Sequence, residues 1–185
     1  LMSIKWYLLP TDTSWENYWE ETSIEVQAKI TNNDYPKLLE AIKNYSNKDS
    51  VVLEGGCGLG RWLFFLRKLG YKKLIGVDFI TPPLDKIKKH DKEITVKVGN
   101  VDSLPIEDSS IDLYLSMGVI EHFEEGPEDS LLEARRVLKK EGIMIISVPY
   151  QNYYRSTVRR LFTMPLLKLI KPSFGSKIQI FYQYY

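Results

Sequence analysis

Acidic residues are missing from the end of the chain. From Gly142 to Tyr185 there is no Asp or Glu, whereas Arg155, Arg159, Arg160, Lys168, Lys171 and Lys177 all fall there. Over the whole chain 25 Lys and Arg meet 24 Asp and Glu, a formal net charge of +1. No global field therefore favours a polyanion, and nothing signals nucleic acid. Cysteine is limited to Cys57, so no intrachain disulfide and no multi-cysteine metal site can form. With no His/Cys/carboxylate cluster, no metal is expected, and cysteine usage favours a reducing, cytoplasmic setting. Long hydrophobic runs are also lacking. The run 161–170 is broken by Pro165 and Lys168 and is far below membrane-spanning length. Near the N-terminus, Lys5 is followed by too few apolar residues before Pro10 for a signal-peptide core. Leu1 ahead of Met2 reads as a remnant rather than a natural start.

What remains is a chain of 185 residues, 44% hydrophobic, enough for one domain with a sizeable core. Short Val- and Ile-rich runs at 51–54, 73–78, 95–98, 112–117 and 143–148 read as strands buried on both faces. Between them 61–69 reads as a helix closed by Gly70, and 83–90 and 128–139 read as further helices. This alternation predicts an α/β fold with a parallel sheet and right-handed crossovers. Upstream, Thr13 and Glu16 fit a capping box, and Trp15, Tyr18 and Trp19 share one helical face. A second helix is expected from Pro36 to about Tyr45. The chain thus divides into an N-terminal helical flank or lid (1–48), a core (49–150) and a basic, aromatic segment (151–185) expected to be a helical cap.

The chemistry-bearing signal is Val51-Val52-Leu53-Glu54-Gly55-Gly56-Cys57-Gly58-Leu59-Gly60-Arg61. An apolar strand runs into a glycine-rich turn and then a helix. Glycines at 56, 58 and 60 allow a tight turn and let a ligand lie against bare main chain. The dinucleotide fingerprint fails, because Arg61 stands where its third glycine belongs. A phosphate-binding P-loop fails too, since no Gly-Lys-Ser/Thr follows. Asp78 closes the second strand, where a carboxylate can accept hydrogen bonds from both hydroxyls of a ribose. Phe79 beside it can pack on an adenine face.

Further along stand Gly99-Asn100-Val101-Asp102-Ser103-Leu104-Pro105, the strand around Asp112–Met117, and Glu121-His122-Phe123. Together with the glycine turn and Asp78, these motifs make residues 51–149 resemble the class I S-adenosylmethionine-dependent methyltransferases, in particular those with the type 11 domain. The resemblance implies a Rossmann-like sheet with strand order 3-2-1-4-5, helices on both faces, and S-adenosylmethionine as cofactor, leaving S-adenosylhomocysteine as product. It implies that Glu54 orients the cofactor's amino-acid end and that the backbone of Gly56, Cys57, Gly58 and Gly60 lies along its methionine and ribose. Asp78 would hold the ribose, with Phe79 beside the base. Asn100 and the Val101 N–H would meet the adenine edge, and Met117 and Gly118 would flank the methionine.

Three departures from the family pattern are visible, one of them Lys139-Lys140-Glu141-Gly142 in place of the usual Leu-Lys-Pro-Gly-Gly turn before the fifth strand, a harmless turn change. Asn100 replaces the usual Asp but keeps an acceptor oxygen. The family's further two strands, an antiparallel pair at the sheet edge, have no counterpart, so C-terminal edge strands are expected to be missing.

His122 and Glu121, just past the fourth strand, are the candidate catalytic residues, as a general base for an acceptor that holds its proton. The acceptor class is left open among small molecules, lipids and glycans. The basic stretch 153–171 suggests a patch for an anionic acceptor or a peripheral membrane contact, beside the plainer reading of a solvated helix face. An uncovered sheet edge would favour a homodimer. A cofactor-binding module without catalysis, or a partner subunit, is the rival reading. A nicotinamide-dependent oxidoreductase is disfavoured by Arg61.

Overall fold

The structure, a computed structural model, describes residues 15, 19, 22–27, 34–123, 126–149 and 178–183. Each apolar run of the core forms its strand: β1 (Val51–Gly55), β2 (Lys73–Asp78), β3 (Thr95–Val98), β4 (Ile111–Met117) and β5 (Leu138–Pro149). All pair in parallel, as the alternation of strands and helices predicts, and in the order β3-β2-β1-β4-β5 that the resemblance implies. Registered side chains form one apolar row on each face. Val52, Leu74, Leu113 and Ile143 face one side, and Leu53, Tyr114 and Met144 the other.

Helices cover both faces. After a single turn, α1 (Ile24–Gln27), come α2 (Pro36–Tyr45), α3 (Arg61–Lys68) and α4 (Thr81–His90). They bury Leu39, Ile42, Leu63, Leu66, Leu84 and Ile87 against the first row. On the second face α5 (Glu128–Val137) packs Ala134 and Val137 beside Leu104 and Ile106. Each fully buried Leu or Ile contributes about 1.5–3 kcal/mol, so both faces drive folding. Arg136 fastens the turn that follows β3 to α5, donating to the carbonyls of Leu104 (3.0 Å) and Ile106 (2.9 Å) and pairing with Glu133 and Asp108.

The helix α3 ends at Lys68, with Leu69 as its cap and Gly70 following at φ 92°, the closing glycine expected. The boundary near residue 139 differs. The expected turn at 139–142 is an irregularity inside a longer β5: Ile111 and Leu113, two apart, face Leu138 and Ile143, five apart. Asp112 sits at this irregularity, accepting from the Lys139 ammonium (2.8 Å) and the Val51 N–H (2.8 Å). The helix accordingly stops at Val137.

The expectation of a bare C-terminal sheet edge is corrected. A sixth strand, β6 (Ile178–Gln183), pairs with β5 in parallel, Met144 opposite Ile178 through Pro149 opposite Gln183. These six residues are therefore sheet rather than helical cap. Without them β5 would present a row of unsatisfied N–H and C=O groups, and an Ile-Gln-Ile-Phe-Tyr-Gln segment suits a strand. The crossover 150–177, with its arginines and the proposed membrane-contact stretch, lies outside the described residues, as do Thr13, Glu16 and Tyr18 of the N-terminal reading. No helix among the described residues is long and apolar enough to cross a membrane.

Candidate functional site

In a parallel sheet the strands' carboxyl ends share one edge, and the crevice opens where successive crossovers leave to opposite faces. Here that point lies between β1 and β4, each paired with the other and extended outward by β2 and β5. Glu54, the glycine turn, Asp78, Phe79, Asn100, Val101, Met117, Gly118, Glu121 and His122 all fall at or just beyond those ends. The fold thus gathers every residue expected of the site onto one edge.

The glycine turn has a defined polarity. The N–H groups of Gly56 and Cys57 both donate to the Val77 carbonyl (2.8 and 3.0 Å), and that of Gly60 to Cys57 (2.8 Å). The Gly58 N–H donates to Asp78 Oδ2 (2.7 Å). The amides of these four residues are thus engaged within the protein, and the absence of side chains at Gly56 and Gly58 lets Val119 and Trp19 lie against the turn. A phosphate cradle needs those amides free, so this geometry suits a ligand without phosphate better than a dinucleotide. Gly56 and Gly58 have φ of 69° and 48°, and a Cβ on either would come within 2.5 Å of Val119 or Trp19 respectively. Trp19 comes from the N-terminal flank, and its indole lies on the turn. Lys86 holds that flank to α4 by donating to the carbonyls of Trp19 (2.8 Å) and Thr22 (3.2 Å). The Cys57 thiol points inward and is buried, and burial pushes its pKa up, so it is not a nucleophile here.

Two buried carboxylates flank the turn. Glu54 is 3% exposed, and its Oε2 has no hydrogen-bond partner among the described residues. Burial raises its pKa to about 8; a Leu63 backbone hydrogen bond lowers it, the Asp78 charge raises it and Arg61 lowers it. Asp78, 5% exposed, accepts from Gly58 and, through Oδ1, from the Ile80 N–H (3.0 Å). Burial raises its pKa against those backbone hydrogen bonds. An orphaned buried carboxylate oxygen, a Cβ-free cradle and a second carboxylate at the end of β2 fit a ligand with a cationic amino-acid end and a ribose.

The base-binding side is less open than the sequence suggests. Phe79 is 61% exposed and available for stacking. The Asn100 oxygen, however, accepts from the Val101 N–H itself (2.8 Å), and its amide nitrogen donates to Asp102 (3.1 Å). The two groups expected to read an adenine edge are adjacent but engaged with each other, so a base docking there exchanges one internal bond for two to its own edge.

Past β4 the chain turns at Gly118 (φ 75°), whose N–H is held by the Ser147 carbonyl (2.8 Å), into a 3-10 turn, Ile120–His122. Glu121 folds back so that its Oε1 would lie 3.5 Å from a Cβ on Gly118, and His122 Nε2 is 4.0 Å from the same oxygen. Burial raises the Glu121 carboxyl to about 7 and lowers His122. The Trp15 ring meets His122 edge-on at 5.1 Å and stacks with Trp19 at 6.3 Å. The two indoles thus bridge the glycine turn and the Glu121–His122 pair.

Sequence reasoning missed Val119, whose side chain covers Gly56, and Arg61, whose guanidinium lies 5.5 Å over the Tyr35 ring with a buried Nε lacking a partner among the described residues. Arg61 directly follows the glycine motif, the one local hint available. Among the described residues no group of His, Cys, Asp and Glu could hold a metal.

Residues 53–146 match the methyltransferase domain family. A protein of Encephalitozoon cuniculi named as a methyltransferase is 36% identical over 109 residues, covering 58% of this chain and 49% of its own. A protein of Mycolicibacterium smegmatis named as S-adenosylmethionine-dependent is 29% identical over 98 residues, covering 53% and 37%. The chain therefore spans about half or less of these relatives' lengths. Among solved structures, an S-adenosyl-L-methionine-dependent methyltransferase of Methanococcus maripaludis superposes with a TM-score of 0.62 at 20% identity, covering 78% of this chain and 68% of that one. That likeness establishes the fold.

Proposed function

From the premise that this chain belongs to the methyltransferase domain family, we propose that it transfers a methyl group from S-adenosylmethionine to a small-molecule, lipid or glycan-type acceptor. The observation that carries the reading is the glycine turn. The amides of Gly56, Cys57, Gly58 and Gly60 are engaged within the protein, Val119 and Trp19 lie against its glycines, and Glu54 and Asp78 stand on either side.

When bound, the cofactor supplies an electrophilic methyl group on a sulfonium. The chain's own work is positioning and exclusion of water. Asp78 orients a ribose at the end of β2, and Glu54 receives a cationic amino-acid end at β1. Phe79 offers a face to a base. Trp19 and Val119 close the turn against solvent. Glu121 and His122 stand beyond β4, on the side from which an acceptor approaches, where a carboxyl titrating near 7 can take a proton at neutral pH.

The test is to incubate the purified chain with S-adenosylmethionine and acceptor pools fractionated by class, measuring S-adenosylhomocysteine release. Acceptor-dependent release is expected. Tight cofactor binding with no release from any pool would favour the rival reading of a binding module or partner subunit.

A further inference from the structure

Resting on the methyl-transfer reading above, we propose that Glu121, His122 and Trp15 form a receiving site for a protonated amine, so that the atom methylated is an amine nitrogen. Three observations point the same way. The Glu121 side chain is 15% exposed, and its buried Oε2 has no hydrogen-bond partner among the described residues. No cation pairs with it among them except a histidine 4.0 Å away. Burial lowers that histidine's pKa, so at neutral pH it brings no positive charge to repel a cation. Finally, the indole of Trp15 packs on the same imidazole and continues into Trp19, an aromatic wall beside a carboxylate.

A buried carboxylate without a partner is costly and is normally neutralised or paired. Burial raises the Glu121 carboxyl to about 7, with no charged partner among the described residues to oppose it. An ammonium supplies that partner, and tryptophan is the aromatic that attracts cations best. An alcohol would leave the carboxylate's charge uncompensated and gain nothing from the indole beyond area. Gly118 lies next to the carboxylate, 3.5 Å from Oε1 at the position a Cβ would take.

The proton balance closes. The amine arrives as an ammonium and passes one proton to the Glu121 carboxylate. Its nitrogen lone pair then forms the bond to the methyl carbon as the carbon–sulfur bond breaks, leaving a neutral thioether and a methylated ammonium. Glu121 returns its proton to solvent as the product leaves, so one proton is released per turnover.

The experiment titrates the chain with 2-phenylethylammonium and, separately, with 2-phenylethanol, each with and without saturating S-adenosylhomocysteine. The ammonium is expected to bind in both conditions and the alcohol at least about tenfold more weakly, as charge-assisted contacts require. Glu121→Gln is expected to weaken the ammonium by about tenfold or more while S-adenosylhomocysteine still binds. Trp15→Leu, which serves if the first variant does not fold, should cost severalfold, on the scale of a cation–π contact. Equal affinity for alcohol and ammonium, failure of the ammonium to bind, its displacement by S-adenosylhomocysteine, or unchanged affinity in either folded variant overturns the proposal. A parent chain that takes the ammonium but not S-adenosylhomocysteine sinks the methyl-transfer reading instead.

Discussion

Glu54 illustrates how a single buried group links stability, pH and ligand. Its carboxyl titrates near 8 in the folded chain, against an ordinary value of 4.5, chiefly because burial disfavours the charge. A raised acid pKa means that the folded chain holds the proton more tightly than the unfolded chain. The associated stability is fully present below about pH 4.5 and is lost as pH rises toward and through 8. Glu54→Gln removes the titration. The variant is expected to gain stability relative to the parent between pH 5 and 8, by a few kcal/mol at the upper end on an order-of-magnitude scale. Urea unfolding at both ends of that window checks it, and a pH-independent difference would show that Glu54 is not the titrating group.

Asp78 is also double-purposed. The sequence places it at the end of β2 because a strand must end there, but its hydrogen bonds to the Gly58 and Ile80 amides depend on how the turn folds back, which no local pattern encodes. The same holds for the bond between Asn100 and Val101 and for Val119 covering Gly56. Residue identities at the site were readable. Their internal partners were not.

At the scale of elements, the N-terminal flank bears most directly on function. Read from sequence, the Trp15 and Trp19 face fits either a lid or a packing stripe. The structure places the Trp19 indole on the Gly58 backbone while also packing it against the core that holds Leu63 and Leu115. A ligand lying along the turn must slide or lift that indole. S-adenosylmethionine is therefore expected to change the intrinsic fluorescence, with most of the change lost in Trp19→Phe. An undiminished signal in that variant would show that the indole does not meet the ligand.

Element boundaries were legible where a local rule ends the element, as at Gly70 after α3. They were not legible where pairing decides, as in the irregularity at 139–142 or in β6. That last strand forms because β5 offers an open edge, a condition set by a strand some thirty positions earlier.

For the molecule as a whole, the short apolar runs and the helices between them were enough to predict a parallel sheet, and the family resemblance supplied the order of its first five strands, which places the crevice between β1 and β4. Period and burial carry the first of these directly: parallel strands covered on both faces must be apolar throughout. The acceptor is a different matter. It depends on side chains brought together from the N-terminal flank and the 3-10 turn, and on the basic stretch outside the described residues. Binding of a ligand at a hundredfold excess over its Kd would stabilise the fold by about 2.7 kcal/mol, a substantial share of a typical domain's stability.

The most direct measurement is a calorimetric titration of S-adenosylmethionine into the parent chain and into Asp78→Asn, with NAD as a control. One-to-one binding to the parent is expected, with competition by S-adenosylhomocysteine and no binding of NAD. Affinity is expected to weaken by about ten- to a hundredfold in the folded variant, as loss of charge-assisted hydrogen bonds worth roughly 1.5–3 kcal/mol requires. No binding of S-adenosylmethionine to the parent, or equal affinity in a folded Asp78→Asn, would contradict this reading of the site.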